Sequence, residues 1–310
     1  MAGIGVVLNP KSSRNRRDPR AAARLARALG DHGVVREAHS VDELRRIAED
    51  FRALSIDVLA IAGGDGTNHV TLTGFLAVYG DDPLPKIALL RGGTMNTVAN
   101  SIGVRRAKSD ALLLGLTTRA SGAPSTRRHV LHIGDSSGFL FGTGAVYGFL
   151  AEYYRNGQPT PLIALKTLLE GVGSALVGGD VVARIAAPFR GTVTLPDGTR
   201  WETRDYLAVA GGGVDQIGLH FRPFRRYAEV PGSFHLLGIH TDPMGFVRDL
   251  PRIWRAKAMR PGKTYEAVVP SAILEAEGGV VRYMVDGDLH EQKGQLHVRT
   301  GPSLELLLGY

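Results

Sequence analysis

Five apolar residues, Val58-Leu59-Ala60-Ile61-Ala62, run straight into Gly63-Gly64-Asp65-Gly66-Thr67, and helical spacing resumes over 67–78. A short unbroken apolar run reads as a strand buried on both faces, and such strands belong to parallel sheets whose connections are helices. A glycine turn between strand and helix leaves bare backbone N–H groups at a helix N-terminus. That arrangement suits an anion, phosphate above all. The Asp65 carboxylate in the same turn would repel a phosphate unless a cation stood between them. Gly-Asp-Gly also occurs in ordinary loops; its place at a strand-to-helix junction is what points to phosphate.

The surrounding sequence repeats the alternation. Strands are expected at 4–8, 57–62 and 86–90, and helices at 20–32, 41–53, 67–78, 96–102 and 109–117. This predicts an α/β domain over 1–124, with a parallel sheet covered on both faces and ligands bound beyond the carboxyl ends of its strands. The character changes near Gly122-Ala123-Pro124-Ser125. Strands are expected at 130–133, 181–186, 192–195, 206–210, 234–240, 265–269, 280–285 and 295–300, with helices at 145–155, 162–177 and 243–255. Pro196-Asp197-Gly198 predicts a hairpin turn, because Asp-Gly accepts positive φ. The second domain, 125–310, therefore reads as mainly antiparallel β. The last apolar run, 304–308, belongs either to it or back on the first domain.

Composition narrows the class. The 310 residues contain no cysteine, which excludes disulfides, thiolate metal sites and cysteine nucleophiles. The formal charge of +7 favours anionic partners without choosing among them. Because the charge is spread along the chain, no nucleic-acid partner is expected. The first eight residues lack the positive region of a signal peptide, and a cytoplasmic location is expected. No apolar run reaches the length of a spanning helix; the nearest, 162–177, carries Lys166 and Glu170. Any membrane contact should be peripheral, and a homodimer is among the assemblies left open.

Two further turns join the first. Leu90-Arg91-Gly92-Gly93-Thr94-Met95-Asn96 follows the 86–90 strand and opens the next helix, with Thr94 and Asn96 as polar side chains or as plain helix caps. Asn9-Pro10-Lys11-Ser12-Ser13-Arg14 follows the first strand and reads equally as a phosphate contact or a solvated loop. Near the other end, Asp286-Gly287-Asp288 reads by itself as a hairpin turn. The segment 221–227 alternates Phe221, Phe224 and Tyr227 with Arg222, Arg225 and Arg226, fitting either an anionic membrane interface or a loop whose rings pack inward. No metal-binding histidine spacing, Gly-x-Ser-x-Gly elbow or P-loop is present.

The four turns together, in this order, resemble the diacylglycerol kinase catalytic-domain family. Asn9-Pro10-Lys11-Ser12 is similar to its Asn-Pro-x-Ser turn, Gly63 through Thr67 to its Gly-Gly-Asp-Gly-Thr signature, Gly93-Thr94-Met95-Asn96 with Ala99 to its Gly-Thr-x-Asn-x-x-Ala element, and Asp286-Gly287-Asp288 to its Asp-Gly-Glu turn. The resemblance implies a Rossmann-like nucleotide-binding domain, a β-sandwich-like second domain, and a lipid kinase that uses ATP with Mg²⁺. It implies ATP contacts by Asn9, Gly63, Gly64, Asp65, Gly66, Thr67, Asn68, His69, Gly93, Thr94 and Asn96, and more loosely by Ser40. Asp286, with Asp288 beside it, would be the general base for a lipid hydroxyl; the metal ligands stay unknown.

The chain departs from the family pattern at Val70 (usually Glu), Thr97 (usually acidic), Arg91 (usually Pro) and Asp288 (usually Glu). Pro231 replaces an Asp that helps hold a structural Mg²⁺ in some bacterial members. Two other readings stand beside the lipid kinase. One is an NAD kinase, whose family shares the Gly-Gly-Asp-Gly-Thr turn. The other is a nucleotide- or lipid-binding module without catalysis.

Overall fold

The computed structural model describes residues 3–119, 122–155, 160–177 and 179–310; the reading of residues 1 and 2 falls outside these. The chain divides into two compact units, Met1–Arg128 with Ser303–Tyr310, and His129–Pro302.

The first unit alternates β1 (Ile4–Leu8), α1 (Ala21–Leu29), β2 (Gly33–Glu37), α2 (Val41–Ala53), β3 (Val58–Ala62), α3 (Asp65–Tyr79), β4 (Lys86–Leu89), α4 (Thr97–Ser101) and α5 (Ser109–Arg119). The strands pair in parallel in the order β2-β1-β3-β4. Every residue of β1 and β3 is buried, so both faces of the sheet are covered. α1 packs with α5 and α2 with α3. The chain starts at β1, winds outward to β2, then returns past β1 to β3; this reversal beside β1 and β3 is the topological switch point where open α/β sheets bind ligands. The strand β2 escaped the sequence reading because it is a short, half-buried edge carrying Arg36 and Glu37, with no clear apolar signal.

The C-terminus completes this unit. Leu306 pairs in parallel with Ile87. The buried Tyr310 accepts the Leu89 N–H at 2.7 Å and donates to the Leu89 carbonyl at 3.0 Å.

The second unit contains, in chain order, β5 (Ser125–Ile133, which starts in the first unit), β6 (Ser136–Gly138), β7 (Leu140–Thr143), α6 (Ala145–Arg155), α7 (Pro161–Val177), α8 (Asp180–Ile185), β8 (Phe189–Thr194), β9 (Arg200–Tyr206), β10 (Ala208–Gly212), β11 (Phe234–Ile239), α9 (Pro243–Trp254), β12 (Thr264–Val269), β13 (Ser271–Val285) and β14 (Asp288–Leu307, which ends in the first unit). Antiparallel pairing runs β12-β11-β10-β7-β13-β14, and β8 joins β13 while pairing with β9. Phe141, Phe189, Trp201, Tyr206, Phe234, Leu274 and Tyr283 lie in its core. The β8–β9 turn forms as expected: Gly198 has φ 82° and Asp197 accepts the Thr199 N–H at 2.8 Å. The α/β and antiparallel classes match the sequence expectation. The strand expected at 181–186 is instead the helix α8. A short apolar run does not distinguish the two states, and here a tertiary contact decides: the Ser174 hydroxyl of α7 accepts the Val182 N–H at 2.9 Å.

Candidate active site

At the switch point, three turns of the first unit follow β1, β3 and β4, and they are bonded to one another. Asn9, after β1, donates from Nδ2 to Thr67 Oγ1 at 2.9 Å. Asn15, buried, donates to the carbonyls of Asn9 (2.9 Å) and Ala62 (2.8 Å), fastening the first turn to the end of β3. The hydroxyls of Ser13 and Thr94 are 2.8 Å apart, and the Arg14 N–H donates to the Gly92 carbonyl at 3.3 Å.

The two glycine pairs touch backbone to backbone. A Cβ on Gly93 would lie 2.2 Å from Gly64 Cα, one on Gly64 2.8 Å from Gly93 Cα, and one on Gly92 3.0 Å from Gly63 Cα. Glycine is required here because two main chains occupy the space a side chain would need.

Asp65 does not point its carboxylate out of the turn. Its Oδ2 accepts the Thr97 N–H at 2.9 Å and its Oδ1 the Val98 N–H at 3.2 Å, at the N-terminus of α4. Surrounding atoms raise its pKa by desolvation, and the two backbone hydrogen bonds pull it part of the way back. Asn96, in left-handed conformation (φ 49°), closes its own turn by accepting the Gly93 N–H (3.2 Å) and donating to the Gly93 carbonyl (2.9 Å). Gly66 lies in the first turn of α3. Asn68 and His69 are buried on α3, and Asn68 Oδ1 has no hydrogen-bond partner among the described residues. Ser40 caps α2, accepting the Glu43 N–H at 3.2 Å; no bond joins it to the three turns among the described residues.

The sequence reading gave Asn15 no role and noted Arg91 only as a departure from the family pattern. Arg91, where the family has proline, has φ 52°, a conformation closed to proline. Its buried guanidinium donates to the Val104 carbonyl (3.0 Å) and to Asn100 Oδ1 (2.6 Å), bracing the far end of α4. Burial, followed by the nearby Arg106 and Arg14, lowers its pKa. The only sequence signal is, for Arg91, a polar side chain beside a glycine turn and, for Asn15, an amide directly after the Asn9–Arg14 turn.

In the second unit, Val285 pairs with Asp288, so Asp286 and Gly287 form a two-residue hairpin turn with φ 46° and 101°. The Asp286 carboxylate is buried. Its Oδ1 accepts the N–H groups of Phe139 (3.1 Å) and Leu140 (2.9 Å), and its Oδ2 accepts that of Phe139 (3.0 Å). A Cβ on Gly138 would lie 2.8 Å from Asp286 Oδ2, so the glycine makes room for the acid. Tyr154 of α6 donates to the Gly287 carbonyl at 2.5 Å. Asp288 opens β14, half-buried.

A cavity of about 480 Å³ in this unit is lined by Tyr147, Glu152, Arg155, Arg184, Phe189 and Arg282, among others. Glu152 is held by Arg184 at 3.0 and 3.1 Å, which lowers its pKa. Arg155 also pairs with Glu152, and Arg282 with Glu291. In the segment 221–227 Phe224 packs inward at 1 % exposed while Phe221 and Tyr227 are half-buried; Arg225 pairs with Glu266, and Arg226 with Glu229 and Glu266. Among the described residues no group of three His, Asp or Glu is placed to hold a metal ion, and no helix is long and apolar enough to cross a membrane.

Residues 3–123 match the family model described as the diacylglycerol kinase catalytic domain, which bears out the resemblance drawn from the motifs. A probable lipid kinase, YegS-like, of Chromohalobacter salexigens is 29 % identical over 207 residues, 67 % of this chain and 62 % of that protein. The probable lipid kinase YegS of Shigella flexneri is 33 % identical over 115 residues, 37 % of this chain and 38 % of that protein. The chain thus spans less than two thirds of the length of either relative. The solved structure of a putative diacylglycerol kinase from Bacillus anthracis aligns with 99 % of this chain and 97 % of its own, with a TM-score of 0.68 and 16 % identity. That likeness establishes a shared fold.

Proposed function

We propose that this chain is an ATP-dependent lipid kinase that transfers the γ-phosphoryl group to a hydroxyl of a diacylglycerol- or sphingoid-like lipid. The observation that carries the reading is the backbone-to-backbone contact of Gly63-Gly64 with Gly92-Gly93 at the switch point, tied to Asn9 through Thr67. It leaves the glycine-rich N-terminus of α3, Gly64 through Thr67, part-exposed, a setting that suits a polyphosphate. The match of residues 3–123 to a kinase domain supports it.

In this reading Gly63, Gly64, Gly66, Thr67, Gly93 and Thr94 hold the phosphates, and Asn9, Asn68, His69 and Asn96 shape the turns around them. Asp65 acts by locking the two turns together. The acceptor hydroxyl oxygen forms a bond to the γ-phosphorus, the bond from that phosphorus to the β-phosphate bridging oxygen breaks, and ADP leaves. Asp286 takes the hydroxyl proton; its bonds to Phe139 and Leu140 orient the carboxylate. Mg²⁺ would travel with the nucleotide and neutralise phosphate charge, since the described residues offer no cluster of three ligands. Such an enzyme works in the cytoplasm, at the surface of a membrane.

The test is phosphorylation of detergent-dispersed diacylglycerol with labelled ATP by wild type and Asp286→Asn, with NAD as a competing acceptor. The expected result is lipid phosphorylation that falls about 100-fold or more in the variant, the range for losing a general base. Equal turnover by both proteins ends the role given to Asp286, and phosphorylation of NAD alone ends the lipid reading.

A further inference from the structure

Helix α7 exposes an apolar stripe. Among its described side chains the buried ones are small or polar: Ala164 and Thr167 are 0 % exposed and Ser174 is 9 % exposed. Ile163, Leu168 and Val172 are half-buried, while three leucines point to solvent: Leu162 is 75 % exposed, Leu165 44 % and Leu169 60 %. Spaced i, i+3 and i+7, these leucines form one stripe. A helix that folds only against its own protein buries the opposite face. α7 packs against α9, whose last residue, Trp254, is 56 % exposed.

Cations outnumber acids around this surface. Lys166 shares the exposed face of α7 and pairs with Glu170 at 3.5 Å, and Arg255 and Lys257 follow Trp254, both exposed. Exposed leucines, a tryptophan and flanking cations are what an anionic bilayer surface binds: the apolar groups enter the acyl boundary, the indole sits at the headgroup level, and the cations meet lipid phosphates. At about 1.5 Å per residue α7 is long enough to lie along the interface.

We propose that the outer face of α7, with Trp254 and its neighbouring cations, docks this protein onto anionic phospholipid bilayers. The proposal rests on the lipid-kinase reading for its purpose, and it assigns the membrane contact to α7. A bilayer is favoured over a second copy of the chain because the rim is cationic; two identical cationic rims would repel across a two-fold contact.

The experiment is co-sedimentation with vesicles of phosphatidylcholine, with or without phosphatidylglycerol, in the absence of ATP. Wild type is compared with Leu162→Ser/Leu165→Ser/Leu169→Ser and, separately, with Trp254→Ser, which leaves α7 untouched. Wild type should bind the phosphatidylglycerol vesicles at least ten-fold more tightly than pure phosphatidylcholine. Each variant should bind them at least ten-fold more weakly than wild type, with unchanged melting temperature. Binding by both variants equal to wild type overturns the proposal. So does a wild-type dimer on size exclusion that the triple variant converts to monomer with vesicle binding intact. A chain that binds vesicles through these residues yet phosphorylates no dispersed lipid sinks the kinase reading and upholds this one.

Discussion

Asp65 and Thr97 are joined across two glycine turns: the aspartate Oδ2 accepts the threonine N–H at 2.9 Å, while Oδ1 of the same carboxylate takes the Val98 N–H. The signature acid thereby serves as the N-terminal anchor of α4. Asp65→Ala removes both charge-assisted bonds, and its expected cost is about 2 kcal/mol, less than two isolated bonds because desolvation already opposes the charge. The melting midpoint should drop by about 4–8 °C, and calorimetric ATP affinity should fall with it. A variant as stable as wild type would deny the strut.

Gly93 tests the contact of the two turns. Gly93→Ala would place a methyl 2.2 Å from Gly64 Cα, so one turn must move. The expected outcome is loss of ATP binding by at least ten-fold. The control is Gly173→Ala on α7, where an added Cβ meets nothing within 4 Å; it should be neutral or stabilising by up to about 1 kcal/mol.

Gly138 tests the placement of the acid. An alanine Cβ would come within 2.8 Å of Asp286 Oδ2 and 2.6 Å of Val285 Cγ1. Displacing the carboxylate should lower kcat by about 10- to 100-fold and leave KM for ATP unchanged, as steady-state kinetics on dispersed diacylglycerol will read. A rise in KM with kcat unchanged would mean that Asp286 does not act in the chemical step.

His235 makes stability depend on pH. Its Nδ1 accepts the Arg226 N–H at 3.5 Å, which assigns the proton to Nε2, 3.0 Å from Glu266 Oε1. Burial pushes its pKa from 6.5 down to about 4, against the pull of Glu266. Between those values the unfolded chain takes up a proton that the folded chain refuses, so stability falls as pH drops from about 6.5 to about 4. The contribution is at most about 3 kcal/mol. Denaturant midpoints measured against pH should be flatter in this window for His235→Gln than for wild type; parallel curves would remove His235 as the cause.

Local chemistry made much of this molecule legible. β3 and the turn after it could be read because five consecutive apolar residues and three glycines leave few other conformations. The Pro196-Asp197-Gly198 hairpin followed from the positive φ that Asp-Gly accepts. The edge strand β2 and the helix α8 were not legible, since each is a short segment whose state is set by a neighbour: β1 in one case and the Ser174 hydroxyl in the other. The roles of Asn15 and Arg91 were hidden for the same reason, as their partners lie elsewhere along the chain.

Apart from the edge strand β2, the order of strands, turns and helices in the first unit was determined by sequence alone, because period, glycine placement and buried apolar runs act over a few residues. Only the tertiary structure decided that Asp65 braces α4, that Phe139 and Leu140 hold Asp286, that Phe224 packs inward, and that Leu162, Leu165 and Leu169 of α7 face out. Direction and partnership depend on groups far apart in the chain, and a leucine in a helix reads the same whether the protein or the solvent lies beside it.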